Sequence, residues 1–99
     1  MIDHHEAREA QQNGATLVDV RERDEWEAGH VAGAVLHPVT RIASDPDIDM
    51  APDTPVVTYC KAGTRAERAA EVLRAAGYAD VRAMRGGFDD WRTAGYPTE

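Results

Sequence analysis

The stretch VVTYCKAGTRAERAAEVLRAAG, residues 56–77, decides the fold because it changes from a strand pattern to a helix pattern within a few residues. Residues 56–59 are β-branched or aromatic, which favours a buried strand. Apolar residues then recur at helical spacing over residues 66–76, and a glycine follows, as is typical of a helix end. Thr64 and Glu67 fit a capping box that would start this helix. The stretch therefore predicts a strand, a tight loop and a capped helix.

The same alternation continues on both sides of this stretch. Strand patterns occur at residues 16–20, 34–39 and 79–84. Helical patterns begin at residue 2 and stop at Asn13-Gly14, begin at residue 21 and end at Gly29, and occur again over residues 85–95. Residues 43–55 hold three prolines and four aspartates, which indicates a loop. Strands that alternate with helices predict a parallel sheet with helices packed on both faces. We therefore expect one three-layer α/β/α domain over residues 1–99.

Composition excludes several classes of function. The net charge is −7, with ten arginines against one lysine, which disfavours nucleic acid as a partner. No segment has the apolar length of a membrane span, and the amino terminus lacks the pattern of a secretory signal, so we expect a cytoplasmic protein. The single cysteine excludes an internal disulfide and a multi-cysteine zinc site.

Cys60 directly follows the predicted strand, at the sheet edge where open α/β folds bind their ligands. Backbone N–H groups in a tight turn before a helix can converge into an anion site, and Gly63 permits backbone angles that a side chain would forbid. Lys61 and Arg65 add positive charge on either side of this turn. The combination predicts a cysteine nucleophile with an anionic substrate, although an inert buried cysteine stays open as the alternative.

Three segments resemble the signatures of the rhodanese family of sulfurtransferases. They are LVDVRERDEWEAGHVAGA at residues 17–34, VVTYCKAGTRA at residues 56–66, and LRAAGYADVRAMRGGFDDWRTAGYP at residues 73–97. They occur in the family's order and run along nearly the whole chain. The resemblance implies a parallel sheet of about five strands in the order 1-5-4-2-3. The chain begins almost at its first helix, so Ile2 is all that is expected of the first edge strand.

The resemblance also implies the chemistry. Cys60 would take the sulfane sulfur of an anionic donor such as thiosulfate and form a persulfide, which cyanide, a thiol or a protein would then accept. The persulfide-binding loop would consist of Lys61, Ala62, Gly63, Thr64 and Arg65. The side chains of Lys61, Thr64 and Arg65 would favour anionic donors. No cofactor and no metal are implied, and the acceptor has to come from outside the chain because it holds no second cysteine.

Asp19 and Arg21 belong to the first of these signatures, and we expect them to form a structural ion pair or loop brace rather than to react.

Two other functions stay open. A rhodanese-like module that does not turn over could carry a persulfide or sense sulfur. One class of cysteine phosphatases shares the family's fold, but its Cys-x5-Arg loop surrounds a phosphate, whereas Cys60 and Arg65 form a Cys-x4-Arg loop that is one residue shorter.

Overall fold

A parallel sheet of four strands separates two layers of helices in the computed structural model, which describes residues 1–99. The strands are β1 (Thr16–Asp19), β2 (Val35–Leu36), β3 (Val56–Tyr59) and β4 (Val81–Ala83). Their order across the sheet is β2-β1-β3-β4, and every neighbouring pair is parallel. The predicted α/β/α arrangement is confirmed.

The place of the first edge strand is taken by a single residue. Ile2 forms an isolated parallel bridge with Met84, next to β4. The Ile2 N–H donates to the Ala83 carbonyl over 2.9 Å, and the Arg85 N–H donates to the Ile2 carbonyl over 2.6 Å. Counted as a strand, this residue completes the order 1-5-4-2-3. It stays so short because Asp3 caps the first helix: its side chain accepts from the Glu6 N–H.

Five helices cover the sheet: α1 (His4–Gln12), α2 (Arg23–Ala28), α3 (Val39–Ser44), α4 (Thr64–Ala75) and α5 (Phe88–Thr93). Helices α3 and α4 pack together on one face, and α1 and α5 pack on the other. Helix α2 buries none of its residues and lies at the edge of the fold. None of the five helices is long and apolar enough to cross a membrane.

Alternation along the strands divides the core between the two faces of the sheet. On β1, Leu17 packs with the α1 and α5 cluster, whereas Val18 packs with the α3 and α4 cluster. On β3, Tyr59 belongs to the first cluster, and Cys60 directly after the strand belongs to the second. This period of two follows from strand geometry, and it places Cys60 on the α4 side of the sheet.

Helix α3 was not predicted. It starts after Pro38, whose carbonyl accepts from the Arg41 and Ile42 N–H groups. It has only six residues, and it is held in place by the burial of Val39 and Ile42 against α4. The loop predicted over residues 43–55 therefore begins at Asp45, after the last helical residue.

Candidate active site

Cys60 lies at the carboxyl edge of the sheet, directly after β3. The last residues of the two central strands, Asp19 and Tyr59, are paired in register, so both chains leave the sheet at the same edge. The Cys60 side chain is buried, with 1% of the residue exposed, and its Sγ accepts a hydrogen bond from the Gly63 N–H over 3.0 Å. The Cys60 carbonyl accepts from the Phe88 N–H over 3.0 Å, which ties the loop to the start of α5.

The predicted capping box at the start of α4 is wrong. Gly63, not Thr64, is the residue before the helix, and no side chain caps this end. Gly63 has φ +105°, a left-handed conformation that glycine adopts without the strain that a side chain would add. This conformation turns its N–H towards Cys60, and Thr64 becomes the first helical residue, so it cannot serve as the cap.

The turn before α5 packs against the backbone of the Cys60 loop. Gly87 has an extended backbone, and a Cβ placed on it would overlap the carbonyl oxygens of Lys61 and Cys60. The absent side chain therefore allows two backbone segments to touch. The position of the Cys60 carbonyl depends on this contact as well as on the hydrogen bond from Phe88.

The five loop residues assigned from the resemblance differ in their surroundings. Lys61, Ala62 and Thr64 are exposed, and Gly63 is buried beneath them. Lys61 forms no ion pair, whereas Arg65 forms two hydrogen bonds with Glu25 of α2, over 2.7 and 3.1 Å. The hydrogen bond and charge of Arg65 hold the pKa of Glu25 at about 2. The two cations that the sequence placed around Cys60 are therefore not equivalent, because one is neutralised by Glu25.

Asp19 and Arg21 form a buried ion pair beside the loop. The Arg21 guanidinium reaches the Asp19 carboxylate over 2.7 Å and also donates to the Gly29 carbonyl over 2.7 Å. Burial lowers the pKa of Arg21, but the hydrogen bonds and charge of Asp19 outweigh it and the net shift is upward. The guanidinium lies over the Phe88 ring, 4.7 Å from its centroid. These contacts connect β1, α2 and α5 around the loop without touching Sγ.

Tyr59 completes this network, a role that its strand pattern did not predict. Its hydroxyl donates to Asp19 Oδ2 over 2.8 Å and accepts from the Val31 N–H over 3.0 Å. Burial, and after it the charge of Asp19, raises the pKa of Tyr59 above its ordinary range, so the hydroxyl stays protonated as a donor. A tyrosine directly before the cysteine reads as a strand residue, so the sequence carries no signal for this function.

Replacing Tyr59 with phenylalanine is expected to lower the free energy of unfolding by about 1–3 kcal/mol, because the buried Val31 N–H loses its acceptor. Urea denaturation of the variant and the natural protein measures this difference. Tyr78→Phe is the matched control, since the Tyr78 hydroxyl also accepts from a backbone N–H, that of Ile48, and Tyr78 follows the end of α4 whereas Cys60 precedes its start. Both variants should lose stability, and only Tyr59→Phe should also slow reactions at Cys60. Equal reactivity in the two would show that the Tyr59 hydroxyl does not position the loop.

A groove opens beside the loop, and we call it the active-site groove. Its volume is about 360 Å³, and its lining includes Arg21, Glu25, Lys61, Phe88, Asp89 and Arg92. Cys60 itself does not line it, but Lys61 does, so the groove begins at the residue next to the nucleophile candidate. No group of three or more His, Cys, Asp or Glu side chains is placed to hold a metal ion.

Comparison with known proteins gives one family. The family model for the rhodanese-like domain matches residues 3–94. The chain is 36% identical over 100 residues to the thiosulfate sulfurtransferase GlpE of Pseudomonas fluorescens, an alignment that covers 99% of this chain and 88% of that protein. It is 38% identical over 77 residues to the uncharacterized protein YqhL of Bacillus subtilis, covering 78% of this chain and 60% of that protein.

Solved structures have the same fold. A rhodanese-like domain from Anabaena sp. superposes with a TM-score of 0.87 and 26% identity, covering 98% of this chain and 76% of that one. A rhodanese-related protein from Thermoplasma volcanium has a TM-score of 0.86 and 26% identity, covering 99% of this chain and 95% of that one. The fold similarity therefore extends over the whole sheet and both helical layers.

Proposed function

We propose that this chain, which belongs to the rhodanese-like domain family, is a thiosulfate sulfurtransferase that carries a sulfane sulfur on Cys60. One observation carries the proposal: Cys60 Sγ lies at the carboxyl edge of the sheet and accepts a hydrogen bond from the loop N–H of Gly63. The relatives named as thiosulfate sulfurtransferases, 31–36% identical over 99% of this chain, support the same activity.

The reaction consists of two displacements at sulfur. In the first, the Cys60 thiolate attacks the outer sulfur of thiosulfate. The new Sγ–S bond forms as the S–S bond of thiosulfate breaks, and the electron pair leaves with sulfite. In the second, cyanide attacks the outer sulfur of the persulfide and departs as thiocyanate, which returns the Cys60 thiolate. A thiol acceptor would leave as a persulfide in the same way. Neither step needs an oxidant or a cofactor.

The backbone of the loop would stabilise the charged sulfur atoms, and its side chains would attract and guide the donor. The Gly63 N–H, already bonded to Sγ, would stabilise negative charge on the sulfur atoms. Lys61 is exposed and free of ion pairs, so its ammonium would attract the anionic donor. Ala62 and Thr64 are also exposed and would border the path of the donor. Asp19 and Arg21 would hold the surrounding backbone in position.

Intact mass spectrometry before and after incubation with thiosulfate tests the proposal. We expect the protein to gain one sulfur atom, and cyanide or a dithiol should remove it. Cys60→Ser is the control, because it keeps the loop and loses the nucleophile, so it should gain nothing. Sulfur that adds to the Cys60→Ser variant, or no sulfur on a reduced natural protein, would contradict the proposal.

One observation favours a second candidate. The near-complete burial of Cys60 would slow its contact with acceptors in free solution, which suits a persulfide carrier that serves one partner protein. Steady-state turnover separates the two, because a carrier forms the persulfide but passes it slowly to cyanide. The phosphatase alternative finds no such support: the loop is Cys-x4-Arg, and Arg65 is already engaged by Glu25.

A further inference from the structure

Three of the four cations around the active-site groove are paired with acids. Three arginines near it each pair with one acid, as Arg21 with Asp19, Arg65 with Glu25, and Arg92 with Asp89. The fourth cation, Lys61, has no acidic partner. The groove next to Cys60 is therefore only weakly positive, although the sequence places two cations in the loop itself.

We propose that Glu25 is a specificity-determining residue, which neutralises Arg65 and thereby limits the preference of the Cys60 site for highly charged donors. With Glu25 in place, Lys61 is the only one of these four cations without an acidic partner, so a monoanionic sulfane donor binds nearly as well as dianionic thiosulfate. This inference rests on the proposed function, and it adds the class of donor that the site accepts.

The contact between Arg65 and Glu25 has the geometry of a fixed pair. Two parallel N–H···O bonds join the guanidinium to both carboxylate oxygens, and about one third of each side chain is exposed. Such a fork is stronger and more directional than a single contact. The pair of Arg92 and Asp89, by contrast, has one bond of 3.2 Å and is more than half exposed.

Arg65 is the second residue of α4, two positions after Gly63, whose N–H donates to Cys60 Sγ, so its charge lies beside the Cys60 loop. The hydrogen bond of Glu25 is the main cause that raises the pKa of Arg65, and the charge of Cys60 adds to it. Arg65 also lies in the first turn of α4, where the helix dipole disfavours a cation. Glu25 offsets that cost, so the arginine can stay near the loop without acting on the donor as a full positive charge.

Glu25 has one further contact that a test must preserve. Its side chain accepts from the Glu22 N–H over 3.1 Å and so helps to cap α2. Glutamine serves this capping function as well as glutamate does. It also keeps an oxygen for Arg65. Glu25→Gln therefore removes the charge and retains the two hydrogen bonds that Oε1 accepts, from the Glu22 N–H and from one Arg65 nitrogen, while the bond that Oε2 accepts from Arg65 is lost.

A set of four proteins separates charge from structure. The pair of side chains has net charge zero in the natural protein, plus one in Glu25→Gln, minus one in Arg65→Gln, and zero again in the double variant. The readout is the ratio of the rate constants for alkylation of Cys60 by iodoacetate, an anion, and by iodoacetamide, which is neutral. Both reagents react with the same thiolate, so the ratio cancels any change in its amount and reports the local charge.

We expect Glu25→Gln to raise this ratio about fivefold and Arg65→Gln to lower it about fivefold, and the double variant to lie within about twofold of the natural protein. Lys61→Gln should lower the ratio as well. In persulfide formation, Glu25→Gln should lower the half-saturating concentration of the monoanion methanethiosulfonate about fivefold, and that of the dianion thiosulfate more strongly, by about 25-fold. If the pair of Glu25 and Arg65 only stabilised the structure, its loss would weaken the binding of both donors alike. The double variant would then not recover the binding of the natural protein.

The outcomes test the inference about Glu25 separately from the proposed sulfurtransferase function. A ratio that stays unchanged or falls in Glu25→Gln overturns the inference. Ratios that follow the charges in a protein that forms no persulfide overturn the proposed function and leave the inference standing. If Cys60 resists both reagents but forms a persulfide, the two donors decide the inference. A cysteine that reacts with neither reagent and neither donor overturns both ideas.

Discussion

Replacing Gly87 with alanine is expected to slow persulfide formation on Cys60 at least about 100-fold, although Gly87 is 27 residues after Cys60 in the chain. An alanine Cβ at this position would overlap the Lys61 and Cys60 carbonyl oxygens, so one of the two backbone segments must move. Backbone cannot rotate away as a side chain can. The Cys60 loop and its N–H donor would therefore shift relative to each other by a sizeable fraction of an ångström.

The control for this experiment is Gly95→Ala. Gly95 has φ +80°, so alanine there is strained by about 1–2 kcal/mol, but nothing lies within 4 Å of its Cβ. Both variants should lose stability in urea, and only Gly87→Ala should gain sulfur from thiosulfate more slowly, as measured by rapid mixing and intact mass. Similar rates in the two variants would show that Gly87 does not set the loop position.

Most of the fold could be predicted from the sequence because its signals are local. The change from a strand pattern to a helix pattern at residues 56–77 is readable within one window, and the alternation of such units implies the parallel sheet. Helix α3 could not be predicted in this way. It is six residues long, and its stability comes from burying Val39 and Ile42 against α4 rather than from its own propensity.

The start of α4 shows why a correct local motif can give the wrong cap. Thr64 and Glu67 have the spacing of a capping box, but Gly63 before them lies against the Gly86 and Met84 backbone, which a Cβ added to Gly63 would contact at 3.6–3.7 Å. That contact and the hydrogen bond to Cys60 Sγ determine the conformation of the turn. The tertiary contacts thus override a motif that involves only four residues.

The same limit applies to the site. The sequence predicts a cysteine in a loop with two cations, and the structure places these residues together. Which of the cations is free depends on Glu25, which is 40 residues before Arg65. Glu25 stands within one of the segments that resemble the rhodanese family, in a run of acids, and no local feature marks it as the partner. Long-range ion pairs of this kind need the fold before they can be assigned.

The second large effect is expected for Arg21→Met, which should lower the free energy of unfolding by about 3–5 kcal/mol. Methionine keeps most of the apolar packing on Phe88 but leaves the Asp19 carboxylate buried without its cation. Asp19 is fully buried and would keep only the Tyr59 hydroxyl and one backbone N–H as donors. Urea denaturation measures the loss.

Arg92→Met is the matched control, because Arg92 also lies over the Phe88 ring and also pairs with an aspartate, Asp89. That pair is exposed, so its loss should cost less than about 1 kcal/mol. Comparable losses in the two variants would contradict a special contribution from burial. A third variant, Asp19→Asn with Arg21→Met, removes both charges and should be more stable than Arg21→Met alone. That order would follow if the cost of the single change lies in the unpaired charge rather than in the attraction it removes.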